Sequence, residues 1–308
     1  MTTSRITMNI DTLNKQFGIA NVVTFTAGNG DLPCITLTSK LANATIYLQG
    51  GHITHWQPTG EKPVLFMNSK SFFEDGKPIR GGVPICFPWF GAHPTNEKLP
   101  AHGIVRAKQW EVESITQDPV GNVIVTLLTK SDQASYDLWP FKFELRHIIT
   151  VGSTLNLNLQ TQNTDDKEFK ITQALHTYLA IKNIHNVQIA GLEGCPYFDK
   201  VATANTHAPQ SPLHLTGEFD SVFCDTQATC RVIDPDMGRQ ISVAKTGSDS
   251  TIVWNPWISK SAKMQDMADH EWPQMLCIET ANAGHNIITL KPGDQHEMTS
   301  MISVTKLG

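Results

Sequence analysis

Apolar and polar positions alternate over much of this chain. In 154–160 (TLNLNLQ), Leu155, Leu157 and Leu159 fall on one face and Asn156, Asn158 and Gln160 on the other, the period of a half-buried strand. Segments 44–49 (ATIYLQ), 122–129 (NVIVTLLT), 143–150 (FELRHIIT), 240–244 (QISVA) and 298–305 (MTSMISVT) are short, rich in β-branched or apolar residues and bounded by turn formers. The N-terminus departs from this period. Ile6, Ile10, Leu13 and Phe17 recur at helical spacing and predict one short amphipathic helix within an extension spanning 1–19. No stretch alternates strands with long helical patterns as a βαβ chain requires, and no linker or repeat marks a boundary, so the pattern predicts packed antiparallel sheets in a single domain over 1–308. Residues 67–103 form the long irregular segment, crowded with Gly and Pro, and long loops of this kind in compact domains are often functional.

Composition narrows the partners. Hydrophobic residues make up 40% and charged residues 17% of the 308, enough for a large core and too little charge for a disordered chain. The net charge of -5, with no basic run, gives no footprint for nucleic acid. Six irregularly spaced cysteines without a CxxC pair suggest neither a disulfide framework nor a zinc ribbon, and so a reducing compartment. The N-terminus lacks a signal-peptide pattern and no apolar run reaches membrane length, so the expectation is a cytoplasmic protein without a membrane partner. His52 and His55 fall on opposite faces of a strand, there is no HExxH, and GxGxxG, GxxxxGK[ST] and GxSxG are all missing. Neither a metal nor a nucleotide cofactor is expected.

Candidate chemistry concentrates in a few places. The segment 169–181 (FKITQALHTYLAI) reads as one strand with Phe169, Ile171, Leu175, Leu179 and Ile181 on one face and Thr172, Ala174, His176, Tyr178 and Ala180 on the other. His176 then lies on a face of small and hydroxyl side chains, either solvated or turned toward a polar ligand. Glu279 sits in 275–283 (MLCIETANA) with Met275 and Cys277 on its own face. There it is either a base with a raised pKa or a strand-end carboxylate that finds solvent or a lysine. Of six arginines, Arg80 precedes Gly81–Gly82 in KPIRGGVPICFPWFG and Arg106 closes PAHGIVR. Flexible backbone beside a guanidinium is one way to hold a phosphate, although either arginine alone could be a surface ion-pair partner. Trp254 and Trp257, with Phe87, Trp89 and Phe90, have the composition of a carbohydrate pocket or of an ordinary core.

In order, KPIRGGVPICFPWFG, LPAHGIVR, ALHTYL, VWNPW and CIETA resemble the motif series of the hexose-6-phosphate mutarotases, or glucose-6-phosphate 1-epimerases, within the aldose 1-epimerase group. The resemblance implies an all-β fold, a large antiparallel β-sandwich of the galactose mutarotase type with few short helices. It implies no cofactor, and interconversion of the α and β anomers of a hexose 6-phosphate. By the same resemblance His176 protonates the ring oxygen, Glu279 takes the proton of the C1 hydroxyl, Arg80 and Arg106 contact phosphate, and His102 contacts a sugar hydroxyl. Asp220 in GEFDSVF corresponds more loosely to a family aspartate, and Trp254 lines the substrate site. Ala101 stands where some relatives carry glutamine. The expected partner is a small sugar phosphate and the expected state a monomer. Three other readings stay open: an epimerase of unphosphorylated hexoses, a non-catalytic sugar-phosphate binder on the same fold, and, least supported, part of a glycoside-processing enzyme with Asp220 as the second carboxyl beside Glu279.

Overall fold

The computed structural model describes residues 9–308, and Ile6 of the expected N-terminal helix lies outside them. The helix itself spans Ile10–Phe17, capped by the Asn9 side chain, which accepts from the backbone of Asp11 and Thr12. Its buried residue, Leu13, enters the core, and Phe17 packs 6.4 Å from Phe25.

Two eight-stranded antiparallel sheets and a four-stranded one hold all but two of the strands of the described residues. One large sheet runs through Phe143–Val151, Leu155–Asn163, Gln295–Lys306 and Arg239–Thr246. Its strands Phe143–Val151 and Leu155–Asn163 alternate strictly between buried and half-buried residues, as a sheet does with one face on the core and the other toward water. The other large sheet carries Phe219–Phe223, Ser250–Asn255 and Met275–Asn282 at its centre. Ser250–Asn255 and Met275–Asn282 are buried along their whole length, so both faces of this sheet are covered. That explains why MLCIETANA reads as a continuous apolar run rather than an alternation. A single apolar cluster links residues of all three sheets, among them Ile46, Leu157, Ile252 and Ile278.

The expectation of one strand over 169–181 is corrected. Phe169–Ile171 leaves to pair with Ile288–Leu290, while Gln173–Leu175 and Tyr178–Ala180 both pair with Met275–Asn282. His176 and Thr177 sit in the break between the last two. The segment 67–103 is irregular as expected, with only the two-residue strand Ile85–Cys86 inside it. Its glycines do structural work. Gly82 (φ 60°) lies so close to the Ile53 carbonyl and the His52 ring that a Cβ would collide with both, and Gly103 (φ 77°) is pressed against the Phe87 carbonyl.

Three buried histidines and the half-buried His102 make acid stability a direct test of this packing. Burial lowers His52 and His147 to about 4 and His102 to about 3, and holds His176 well below its ordinary value. A group whose pKa is depressed by folding is protonated first in the unfolded chain, so stability is lost as pH falls below about 6.5. Glu279, with a raised pKa, works in the opposite direction. Taken together, these five groups should take up roughly three protons on unfolding near pH 5, a loss on the order of 4 kcal/mol per pH unit, and His55 and His296, also lowered by burial, act in the same direction. Urea midpoints at pH 7, 6 and 5 measure it; a flat profile would mean that these imidazoles are charged in the fold.

Candidate active site

Strand register assembles the site. Leu175 pairs with Thr280 and Tyr178 with Cys277, so the register is unbroken across the gap and places His176 directly opposite Glu279. The next strand sets Ile252 beside Glu279 and Trp254 beside Cys277, and the one beyond sets Asp220 beside Trp254. Residues opposite one another in antiparallel strands share a face. Asp220, Trp254 and Tyr178 therefore form one row across the sheet, and Glu279 with His176 lies in the next. On the other side of the break, the His176 amide donates to the Pro84 carbonyl at 2.9 Å and the Tyr178 amide to that of Gly82 at 2.9 Å. The glycine-rich segment that carries Arg80 is thereby fastened along the strand that carries His176.

His176 Nε2 lies 3.4 Å from Glu279 Oε1, and the two residues are 8% and 1% exposed. His176 is thus enclosed, and the reading of a histidine on a solvated sheet face is excluded. Tyr178 stacks on its ring at 4.8 Å, while Trp254 at 5.9 Å and His102 at 5.5 Å meet it edge-on. Burial, with His102, Arg106 and Arg80 adding to it, holds the imidazole neutral. Burial and then the Asp220 charge push the Glu279 carboxyl far above its usual range, partly offset by Lys200. The favoured state is a protonated carboxyl beside a neutral imidazole, two groups that can exchange protons without leaving an isolated buried charge.

Both arginines named by the sequence lie near enough to His176 to depress its pKa. Arg80 Nε is 2.8 Å from Asp266 Oδ1, and its Nη1 donates to the Tyr178 hydroxyl at 3.1 Å. Arg106 Nη2 donates to the Ala101 carbonyl at 2.8 Å. The position that differs from some relatives therefore acts here through its backbone. His102, at φ 64°, has its Nδ1 3.3 Å from the Gly91 amide, which donates to it, and 3.3 Å from Cys86 Sγ. Nδ1 is thus the acceptor, and the ring proton sits on Nε2. Asp220 is paired with Lys200 at 2.9 Å and Lys260 at 3.4 Å.

The aromatic expectation divides. Trp254 lines the site and Phe90 packs 5.0 Å from the His102 ring. Phe87 is fully buried against Trp139 and Phe143, Trp257 packs on Trp272, and Trp89 sits against His93. Those three are core and loop packing. Sequence reasoning missed Lys200 and Asp266, which lie in irregular segments without a motif. Tyr178 was legible, sharing strand parity with His176.

An enclosed carboxyl facing an imidazole, on the floor of a β-sandwich and within reach of two guanidiniums, defines a class: an enzyme that moves protons on a small polar ligand. The family described as aldose 1-epimerase matches residues 33–303, and the chain belongs to that family and to its isomerase class. Curated relatives from several organisms carry the name "Putative glucose-6-phosphate 1-epimerase". That of Cenchrus ciliaris is 34% identical over 261 residues, covering 82% of this chain and 78% of its own. That of Escherichia coli K12 is 32% identical over 277 residues, covering 90% and 92%. The crystal structure of a "putative mutarotase" from Salmonella typhimurium superposes with a TM-score of 0.88 at 28% identity, over 96% of this chain and 99% of the other. The fold is accordingly the all-β mutarotase sandwich that the motif series implied.

Proposed function

We propose that this protein is a glucose-6-phosphate 1-epimerase that interconverts the α and β anomers by acid–base ring opening and reclosure. The observation that carries the reading is His176 set opposite Glu279 at 3.4 Å, with Arg80 and Arg106 acting on the same imidazole. One of the pair removes the C1 hydroxyl proton while the other protonates the ring oxygen. The C1–O5 bond breaks, the aldehyde turns about C1–C2, and reclosure with the roles exchanged gives the other anomer.

In this reading the substrate helps to set the roles. A phosphate dianion at Arg80 and Arg106 offsets the positive field that adds to burial in keeping His176 neutral, which shifts the balance of the proton from Glu279 toward His176. Glu279 then opens the ring as base and His176 as acid. His102, with Nε2–H as donor, and Asp220, held by Lys200 and Lys260, address sugar hydroxyls, and Trp254 offers its face to the ring. All six cysteines are free thiols, which fits a cytoplasmic protein, and the proposal includes a monomer acting without a cofactor. Among the described residues no helix is long and apolar enough to cross a membrane.

Two-dimensional exchange NMR on glucose 6-phosphate tests the reading. The wild-type protein should speed α/β exchange well above the spontaneous rate, and do so better than for glucose. Equal rates on the two sugars would favour the unphosphorylated substrate, and binding without faster exchange would favour the non-catalytic reading.

A further inference from the structure

Cys277 lies two residues before Glu279 on the same face of its strand and diagonally across from His176. One ligand atom from each of the three falls within 4.8 Å of the others, and all three residues are buried. Two further atoms of the cluster, Glu279 Oε2 and His176 Nδ1, are buried without a hydrogen-bond partner. We propose that His176, Cys277 and Glu279 form a binding site for a thiophilic divalent cation, with zinc the representative ion, and that its occupancy blocks the reaction. The blocking rests on the function proposed above; the binding does not.

The donor set selects the metal. One thiolate, one imidazole and one carboxylate suit zinc, whereas magnesium and calcium need more oxygen ligands than the cluster offers. Bonds of about 2.0–2.3 Å put neighbouring tetrahedral ligands roughly 3.3–3.8 Å apart. The Nε2–Oε1 separation of 3.4 Å already matches, and the Cys277 sulfur, within 4.8 Å of both, has to approach by roughly 1 Å. The rings of His102 and Trp254, 5.5 and 5.9 Å from that of His176, flank the cluster on the side proposed above for the sugar.

Charge balance removes the main objection, the nearby arginines. A thiolate, a carboxylate and a neutral imidazole together carry two negative charges, which match the dication once the thiol and carboxyl protons leave to solvent. The occupied site carries no net charge, so Arg80 and Arg106 face no uncompensated positive charge. The ion consumes both proton carriers and occupies the sugar's place. It acts as an inhibitor competitive with substrate, not as a cofactor.

Cobalt(II) serves as a spectroscopic probe on the full-length protein without substrate. Titration should give one equivalent of binding with a thiolate-to-metal charge-transfer band, retained in Cys86→Ala and lost in Cys277→Ala. Zinc should displace the cobalt, abolish anomer exchange reversibly, and be reversed by a chelator. Half-inhibition of Cys277→Ala should require at least about 10-fold more zinc. If wild-type protein gives no thiolate band, or if zinc inhibits Cys277→Ala as strongly as wild type, the site is refuted. The band is read on the wild type, so a poorly folding variant does not decide the outcome. A protein that binds cobalt through Cys277 yet shows no metal-free exchange would instead overturn the function proposed above.

Discussion

Glu279→Gln is expected to lower the rate of anomer exchange by ~10²–10⁴ and to leave the affinity for glucose 6-phosphate nearly unchanged. The amide keeps the volume of the side chain and can still accept a hydrogen bond, but it cannot take a proton from the C1 hydroxyl. Its effect on folding should have the opposite sign. Glu279 is 1% exposed and its pKa is raised by burial and by Asp220, so the ionised form is destabilising in the fold. A carboxyl raised in this way contributes stability that is full below its unfolded value near 4.5 and is lost as pH rises through the folded value. Glutamine does not ionise, and at pH 7 the variant should unfold at equal or higher urea concentration than wild type. Exchange NMR and urea denaturation on one preparation measure both effects. A Glu279→Gln protein that exchanges anomers at the wild-type rate would remove Glu279 from the mechanism. One that loses activity and stability together would point to a structural role.

Removing Arg80 should separate the phosphorylated sugar from the free one. Arg80→Ala is expected to reduce kcat/KM for glucose 6-phosphate by ~10²-fold, the value of about two charge-assisted hydrogen bonds, with little change for glucose. The substitution also strands Asp266, whose partner lies 2.8 Å away with both side chains about four-fifths covered, 23% and 19% exposed. Breaking the pair from one side should cost about 2 kcal/mol of stability. The double variant Arg80→Ala/Asp266→Ala separates the two effects, because it leaves no unpaired carboxylate and should recover most of the stability without recovering selectivity for the phosphate. If Arg80→Ala slows glucose and glucose 6-phosphate equally, the guanidinium serves to hold Tyr178, to which it also bonds, and not to bind phosphate.

Much of the architecture was legible because strand period is a local property. The alternation of Leu155, Leu157 and Leu159 with Asn156, Asn158 and Gln160 appears unchanged as the alternating burial of Leu155–Asn163. The uninterrupted apolar run around Glu279 appears as a strand buried on both faces. The ordered motifs placed His176, Glu279, Arg80, Arg106, His102, Asp220 and Trp254 in one expected site, and the fold brings them together. Where local pattern was the only guide, it failed in understandable ways. The segment 169–181 keeps the parity of a strand, yet its backbone breaks at His176, where the Thr177 amide turns back to the Leu175 carbonyl while Pro84 and Gly82 accept from His176 and Tyr178. Phe87 and Trp257 have the same composition as the residues lining the pocket, but they are packed against Trp139 and Trp272. Composition does not say which way a ring points.

The sequence by itself determined the period and the fold class and singled out His176 and Glu279 as candidate proton carriers, since each is written in neighbouring residues or in an ordered set of motifs. Only the tertiary structure decided that His176 stands opposite Glu279, that Asp266 pairs with Arg80, that Lys200 holds Asp220, and that Cys277 joins the pair. Each of these depends on which strand or loop meets which and in what register. That choice is made by burial and packing between segments far apart in the chain, and local propensity carries no record of it.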